Sequence, residues 1–175
     1  MSNKLKKIGV LTSGGDAPGM NAAVRAVVRS AVYNNIDCFG IYKGFEGLII
    51  DDFVKLNARG VNNIVNKGGT ILKSARSLEF RTKEGRKKAK TNLDKYEIDS
   101  LVVIGGNGSL TGAMLLEEEH GIKTIGIPGT IDNDLVGTRC TLGYDTALNT
   151  AVNAIDKIRD TASSHNRLFF IEVMG

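Results

Sequence analysis

Three short stretches of this chain combine residue types that handle phosphate. Thr12-Ser13-Gly14-Gly15-Asp16-Ala17-Pro18-Gly19 follows the apolar run Ile8 to Leu11 and leads into a helical pattern at Met20. Adjacent glycines let backbone N–H groups face a ligand with no Cβ in the way, and a helix start adds unpaired donors and partial positive charge. Gly105-Gly106-Asn107-Gly108-Ser109 repeats the arrangement between another apolar run and another helical pattern, with Ser109 as a candidate N-cap. Pro128-Gly129-Thr130-Ile131-Asp132-Asn133-Asp134 sets two carboxylates two positions apart. One suits a base toward a hydroxyl and the other a metal or hydrogen-bond partner, unless both merely close Asx turns. Arg76 and Arg167 supply guanidinium forks that match phosphate oxygens at two points. The first of these glycine turns is neither the dinucleotide-binding G-x-G-x-x-G pattern nor the G-x-x-x-x-G-K-S/T P-loop. His120 and His165 have no ligand set beside them and read as structural or exposed.

These turns need a scaffold that delivers them to one edge. Apolar runs at Ile8 to Leu11, Ile36 to Tyr42, Leu101 to Ile104, Thr124 to Ile127 and Leu168 to Val173 read as buried strands. Helical periodicity fills Met20 to Asn34, Thr82 to Tyr96, Ser109 to Glu119 and Thr141 to Ser163. The alternation predicts an α/β fold with a doubly wound, mostly parallel sheet and helices on both faces. Ligands of such sheets bind beyond the carboxyl ends of the strands, where all three turns lie. Lys43 to Lys73 is the least regular stretch and reads as loops plus one short helix. A last strand ending at Met174-Gly175 leads us to expect that residues 1–175 form the front part of a longer protein.

Composition narrows the classes further. The chain has 175 residues, 42% of them hydrophobic, enough for one self-supporting core. Cys38 and Cys140 are 102 positions apart, which supports neither a zinc site nor a disulfide framework and fits a reduced cytoplasmic compartment. The apolar run behind the basic start is too short for a signal peptide or membrane span, so no membrane partner is expected. Net charge is +4, with seven basic residues between Arg81 and Lys95, a stretch that reads as a solvated helix face. It lacks the interleaved aromatics of a nucleic-acid reader, and the slight excess suits small anions instead.

Ile8 through Ala23, Lys67-Gly68-Gly69-Thr70, Ser74-Ala75-Arg76, Pro128 through Asp134 and Glu172-Val173-Met174-Gly175 closely resemble the bacterial ATP-dependent 6-phosphofructokinases, in order and at family spacing. The resemblance implies the larger share of a nucleotide-binding lobe, paired in the complete enzyme with a sugar-phosphate lobe and assembled as a homotetramer. It implies phosphorylation of fructose 6-phosphate by ATP with Mg²⁺, and inactivity of this piece alone. It puts Gly15, Arg76 and Ser77 on the nucleotide phosphates, with Gly106, Asn107, Gly108 and Ser109 completing the cradle. Asp132 matches the catalytic base, with Arg76 and Gly15 stabilising the transferred group. Thr130 and Ile131 help seat the sugar, Asp134 supports the magnesium, and Met174 and Gly175 begin a sugar-contacting stretch. Arg167 matches an arginine that reaches a neighbouring subunit's sugar phosphate, and Arg25 and Arg29 match an allosteric effector site between subunits.

Departures from the pattern matter. The family's magnesium-binding Asp is replaced by Asn107, whose amide oxygen can coordinate but lacks the charge that favours a hard cation. Phe45 stands where tyrosine is common, and Ala58 where an effector-site arginine is common, leaving Arg59 as a substitute. Pyrophosphate-using relatives carry Asp and Lys where this chain has Gly108 and Gly129, which favours ATP. The alternatives are a pyrophosphate-dependent phosphofructokinase and a non-catalytic nucleotide-binding or regulatory subunit.

Overall fold

The computed structural model describes residues 7–173. Along the chain run β1 (Lys7–Ser13), α1 (Met20–Tyr33), β2 (Asp37–Ile41), α2 (Phe45–Ile50), β3 (Phe53–Leu56), a 3-10 turn (Glu79–Arg81) and α3 (Lys83–Lys95). There follow β4 (Ser100–Gly105), α4 (Asn107–His120), β5 (Lys123–Thr130), β6 (Leu142–Gly143) and α5 (Tyr144–His165). The six strands form one sheet in the order β3-β2-β1-β4-β5-β6, parallel except for β3. The expected doubly wound α/β sheet is therefore present. Its direction of winding reverses between β1 and β4: β1-α1-β2 builds outward on one side and β4-α4-β5 on the other.

Alternation along the strands divides the core between two faces. Ile8 and Val10 of β1 and Val102 and Ile104 of β4 pack against Met20, Val24, Val28 and Ala31, the inward stripe of α1. Leu11, Leu101 and Val103 pack on the other face with Leu48 of α2, Ala89 and Leu93 of α3, and Ala113 and Leu116 of α4. Thr82 caps α3, its side chain accepting from the Gly85 N–H at 3.0 Å. Gly85 is obligatory there, because a Cβ would stand 2.0 Å from the Glu79 carbonyl oxygen.

Six expectations change. The run Thr124 to Ile127 lies in the strand β5 but is not buried, with Ile125 64% exposed. The stretch from Lys43 to Lys73 holds, besides the short α2, the strand β3, antiparallel to β2 and too short for its pattern to show. Arg86 is not on a solvated face: it is buried, its Nε and a terminal nitrogen on the two carboxylate oxygens of Glu119 at 2.6 and 2.7 Å. Its other nitrogen donates to the carbonyls of Phe80 and Arg81 at 3.0 and 2.8 Å. This fork holds the Glu119 carboxyl below the usual carboxylate range. The helix expected from Thr141 starts only at Tyr144, after β6, and buries none of its residues; Leu148, Val152 and Ile155 are exposed. Leu168 to Val173 is not a buried strand but irregular and exposed, because no described strand offers it a ladder of hydrogen bonds. Finally, α4 begins at Asn107, so Gly106 takes the N-cap position and Ser109 lies buried inside the first turn.

Candidate functional site

A cleft of about 950 Å³ opens at the carboxyl ends of β1, β4 and β5, over the reversal point of the sheet. Ser13 to Asp16, at the end of β1 and just beyond it, line this cleft. The close fit of β1 and β4 at this end demands glycine at 105, where a Cβ would meet the Ser13 carbonyl oxygen at 2.5 Å and Ser109 Cβ at 2.8 Å. Gly15 and Gly108 are different: a Cβ on either would meet nothing within 4 Å, so their backbones border open space. That is the property a backbone phosphate cradle needs.

The helix N-terminus at the cleft is that of α4, not of α1. Gly106 to Ser109 line it, and Asn107 and Gly108 are the first two residues of α4, where N–H groups lack intrahelical partners. α1 opens at Met20, which is not among the residues lining the cleft. Its buried Asn21 acts behind the site instead. Asn21 Nδ2 donates to the Lys67 carbonyl at 3.0 Å and Oδ1 accepts from the Ile71 N–H at 2.8 Å. Thr12 Oγ1 donates to the Lys73 carbonyl at 2.8 Å and meets Thr70 Oγ1 at 2.9 Å. These bonds fasten the loop that carries Ala75, Arg76 and Ser77 into the cleft.

The facing wall comes from the end of β5. Thr130, Ile131, Asp132 and Asp134 line the cleft, and Thr130 lies across from Gly106, 3.5 Å from where a Cβ would be. The Asp132 and Asp134 carboxylates are exposed. The far end is aromatic: Phe45 and Phe80 stack at 4.0 Å and 14°, and Gly112 of α4 lies beneath them, where a Cβ would come within 3.1 to 3.2 Å of both rings. Phe80, Arg81, Gly112 and Arg86 escaped the sequence reading. The only signal for Phe80 was an isolated aromatic beside the basic run.

One cleft thus gathers Gly15, Arg76, Ser77, Gly106, Asn107, Gly108, Ser109, Thr130, Ile131, Asp132 and Asp134. Three expected positions lie elsewhere. Arg25 and Arg29 are on α1 outside the cleft, and Arg167 is exposed just beyond α5. Met174 and Gly175 lie outside the described residues. Among the described residues no three Asp, Glu, His or Cys side chains gather as a metal cage, and no helix is long and apolar enough to cross a membrane. Of the two cysteines, Cys140 is exposed, while Cys38 is buried in the core and its thiol is pushed up to about 12 by that burial.

The family model for phosphofructokinase matches residues 7–175. The chain is 60% identical over 171 residues to an ATP-dependent 6-phosphofructokinase of Cytophaga hutchinsonii and 62% identical to one of Macrococcus caseolyticus, in each case over 98% of this chain. It spans about half the length of these curated relatives, 52% and 53%. Phosphofructokinase from Saccharomyces cerevisiae superposes with a TM-score of 0.86 at 43% identity, covering 93% of this chain and 25% of that one. A pyrophosphate-dependent phosphofructokinase from Marinobacter aquaeolei shares the fold at a TM-score of 0.77 and 21% identity, over 91% of this chain and 42% of that one.

Proposed function

The chain belongs to the phosphofructokinase family, and we propose that it is the nucleotide-binding front part of a two-lobe, cytoplasmic enzyme that phosphorylates fructose 6-phosphate with ATP. The observation that carries this reading is the meeting, in one cleft, of two open glycine backbones, Arg76, and the carboxylates of Asp132 and Asp134. The sugar's 1-hydroxyl oxygen forms a bond to the γ-phosphorus, the bond to the bridging oxygen breaks with its electron pair leaving on ADP, and the hydroxyl proton passes to Asp132. Charge spreads over the equatorial oxygens of the transferred group, so positioning and donors matter more than a strong base. Gly15 and the first turn of α4 supply N–H donors, and Arg76 with Ser77 supplies a fork and a hydroxyl.

The donor set fits Mg²⁺. That ion takes one or two carboxylates and leaves its remaining positions to phosphate oxygens and water, so a protein cage is not required. Asp134 and Asn107 would hold it, and when bound it neutralises charge on the phosphates. Thr130 and Ile131 would seat the sugar. Arg167, Met174 and Gly175 would contact sugar phosphate in a homotetramer whose effector site includes Arg25 and Arg29; for these roles the support is the family pattern.

ATP is favoured over pyrophosphate by Gly108 and Gly129, where pyrophosphate-using relatives carry Asp and Lys. A Cβ on Gly129 would meet Ile104 Cγ2 at 3.2 Å and Met20 Cε at 3.4 Å, so a side chain at 129 fits only with a shift of a few tenths of an ångström in its neighbours. The deciding experiment is Asp132→Asn in the complete protein. We expect kcat to fall about 10²–10⁴-fold with ATP affinity nearly unchanged, as for loss of a general base. Weakened substrate affinity with kcat intact would reassign Asp132 to binding.

A further inference from the structure

The loop between β5 and β6 presents Asp132 and Asp134 to the cleft, but Asn133 between them is not among the cleft's lining residues. Asn133 adopts the left-handed backbone region, with φ at 50°, which asparagine tolerates better than most side chains. Its Oδ1 accepts from the Thr141 backbone N–H at 3.0 Å, with Thr141 Oγ1 a longer 3.4 Å away. Its Nδ2 reaches the Arg139 carbonyl at 3.5 Å. Thr141 is 3% exposed in a loop whose neighbours are mostly open, and its hydroxyl donates to the Thr130 carbonyl at 2.7 Å. Thr130 in turn holds the Asp132 N–H through its own hydroxyl at 3.2 Å. The loop is thus closed by polar bonds at 130, 132, 133 and 141, beside the packing of Ile131 on the core, while Val136 at its tip is fully exposed.

We propose that Asn133 and Thr141 are positioning residues that lock this loop so that Asp132 and Asp134 both face the cleft. The inference rests on the reading of Asp132 as the base. Two neighbouring carboxylates repel each other, and neither has a protein partner among the described residues that would hold it toward the substrate. With residue 133 turned inward onto Thr141, its two neighbours are directed outward together. A reacting group displaced by about 1 Å loses on the order of 10²-fold in rate, so the loop bonds act on kcat.

The test uses the complete protein, with kcat and the KM for ATP measured beside thermal unfolding. Thr141→Val removes the bond to the Thr130 carbonyl; Asn133→Gly keeps the left-handed backbone and removes the side-chain bonds. Each should lower kcat about tenfold or more while the KM for ATP stays within about twofold, and Thr141→Ser should restore kcat. In an Asp132→Asn background, Thr141→Val should add almost nothing, because the group it positions is gone. If Thr141→Val does not fold, Asn133→Gly decides. Unchanged kcat in folded Thr141→Val and Asn133→Gly, with Asp132→Asn impaired, overturns the positioning role and leaves the base standing. A full additional loss in the Asp132→Asn background also overturns it. An Asp132→Asn enzyme with normal kcat overturns both readings together.

Discussion

The two halves of the sheet are built differently. From β2 through β4 the strands are covered on both faces, Val10, Leu11, Leu101, Val103 and Ile104 are fully buried, and the glycine turns and the loop of Arg76 are fastened to that core. From β5 onward cover is lost: Ile125 is exposed, β6 has two residues, α5 buries nothing, and Leu168 to Val173 lies open. The side that carries the glycine turns and Arg76 is thus enclosed within the described residues, while the side that carries Asp132 and Asp134 is held by the packing of Ile127 and Ile131 and by the hydrogen bonds of a single loop.

That contrast breaks if the piece turns over. The 175-residue chain alone should bind ATP yet give no detectable fructose 1,6-bisphosphate in a coupled assay; measurable turnover would mean that the sugar side is complete. Next in size are paired truncations in the same chain. Leu101→Ala should cost about 2–5 kcal/mol in denaturant unfolding, against about 0.5 kcal/mol or less for Leu148→Ala on the open face of α5. Equal costs would show that α5 is packed in solution.

A smaller effect tests the border between the halves. Asn107→Asp in the complete protein should lower the Mg²⁺ concentration for half-maximal activity, because a carboxylate binds a hard cation better than an amide, while metal-free ATP affinity stays level or drops. Superimposable Mg²⁺ titrations would remove Asn107 from the metal site. The smallest effect concerns Glu119, whose carboxyl is depressed by its hydrogen bonds to Arg86. A depressed carboxyl adds stability above its unfolded value of about 4.3 and loses it as pH falls through that window toward the folded value. The gap in melting temperature between wild type and Glu119→Gln should therefore narrow below about pH 4.3; a constant gap would make the pair's contribution steric.

The covered half was the legible one. Ile8 to Leu11 and Leu101 to Ile104 announce buried strands because both their faces are apolar, and the glycine turns are visible because glycine is the only residue whose absence of a side chain is itself information. Arg86 was hidden inside a basic run. What makes it a core residue is Glu119, 33 positions away in the chain and brought near only by the packing of α3 against α4. Leu168 to Val173 is apolar without being a strand, since a pattern names a face but cannot supply the neighbour that pairs with it. Thr141 and Asn133 carry no local signal, because their bonds close across a loop instead of along a helix or strand.

The disposition of the two thiols makes this loop observable without engineering. Cys38, buried with its thiol pushed up to about 12, is almost wholly protonated at neutral pH and shielded from reagents, whereas Cys140 is exposed beside Thr141. Alkylation under mild conditions should therefore mark one site only within residues 7–173. A fluorophore placed there would sit at the end of the loop bearing Asp132, next to Thr141, and its anisotropy would register whether ligands in the cleft change that loop's mobility.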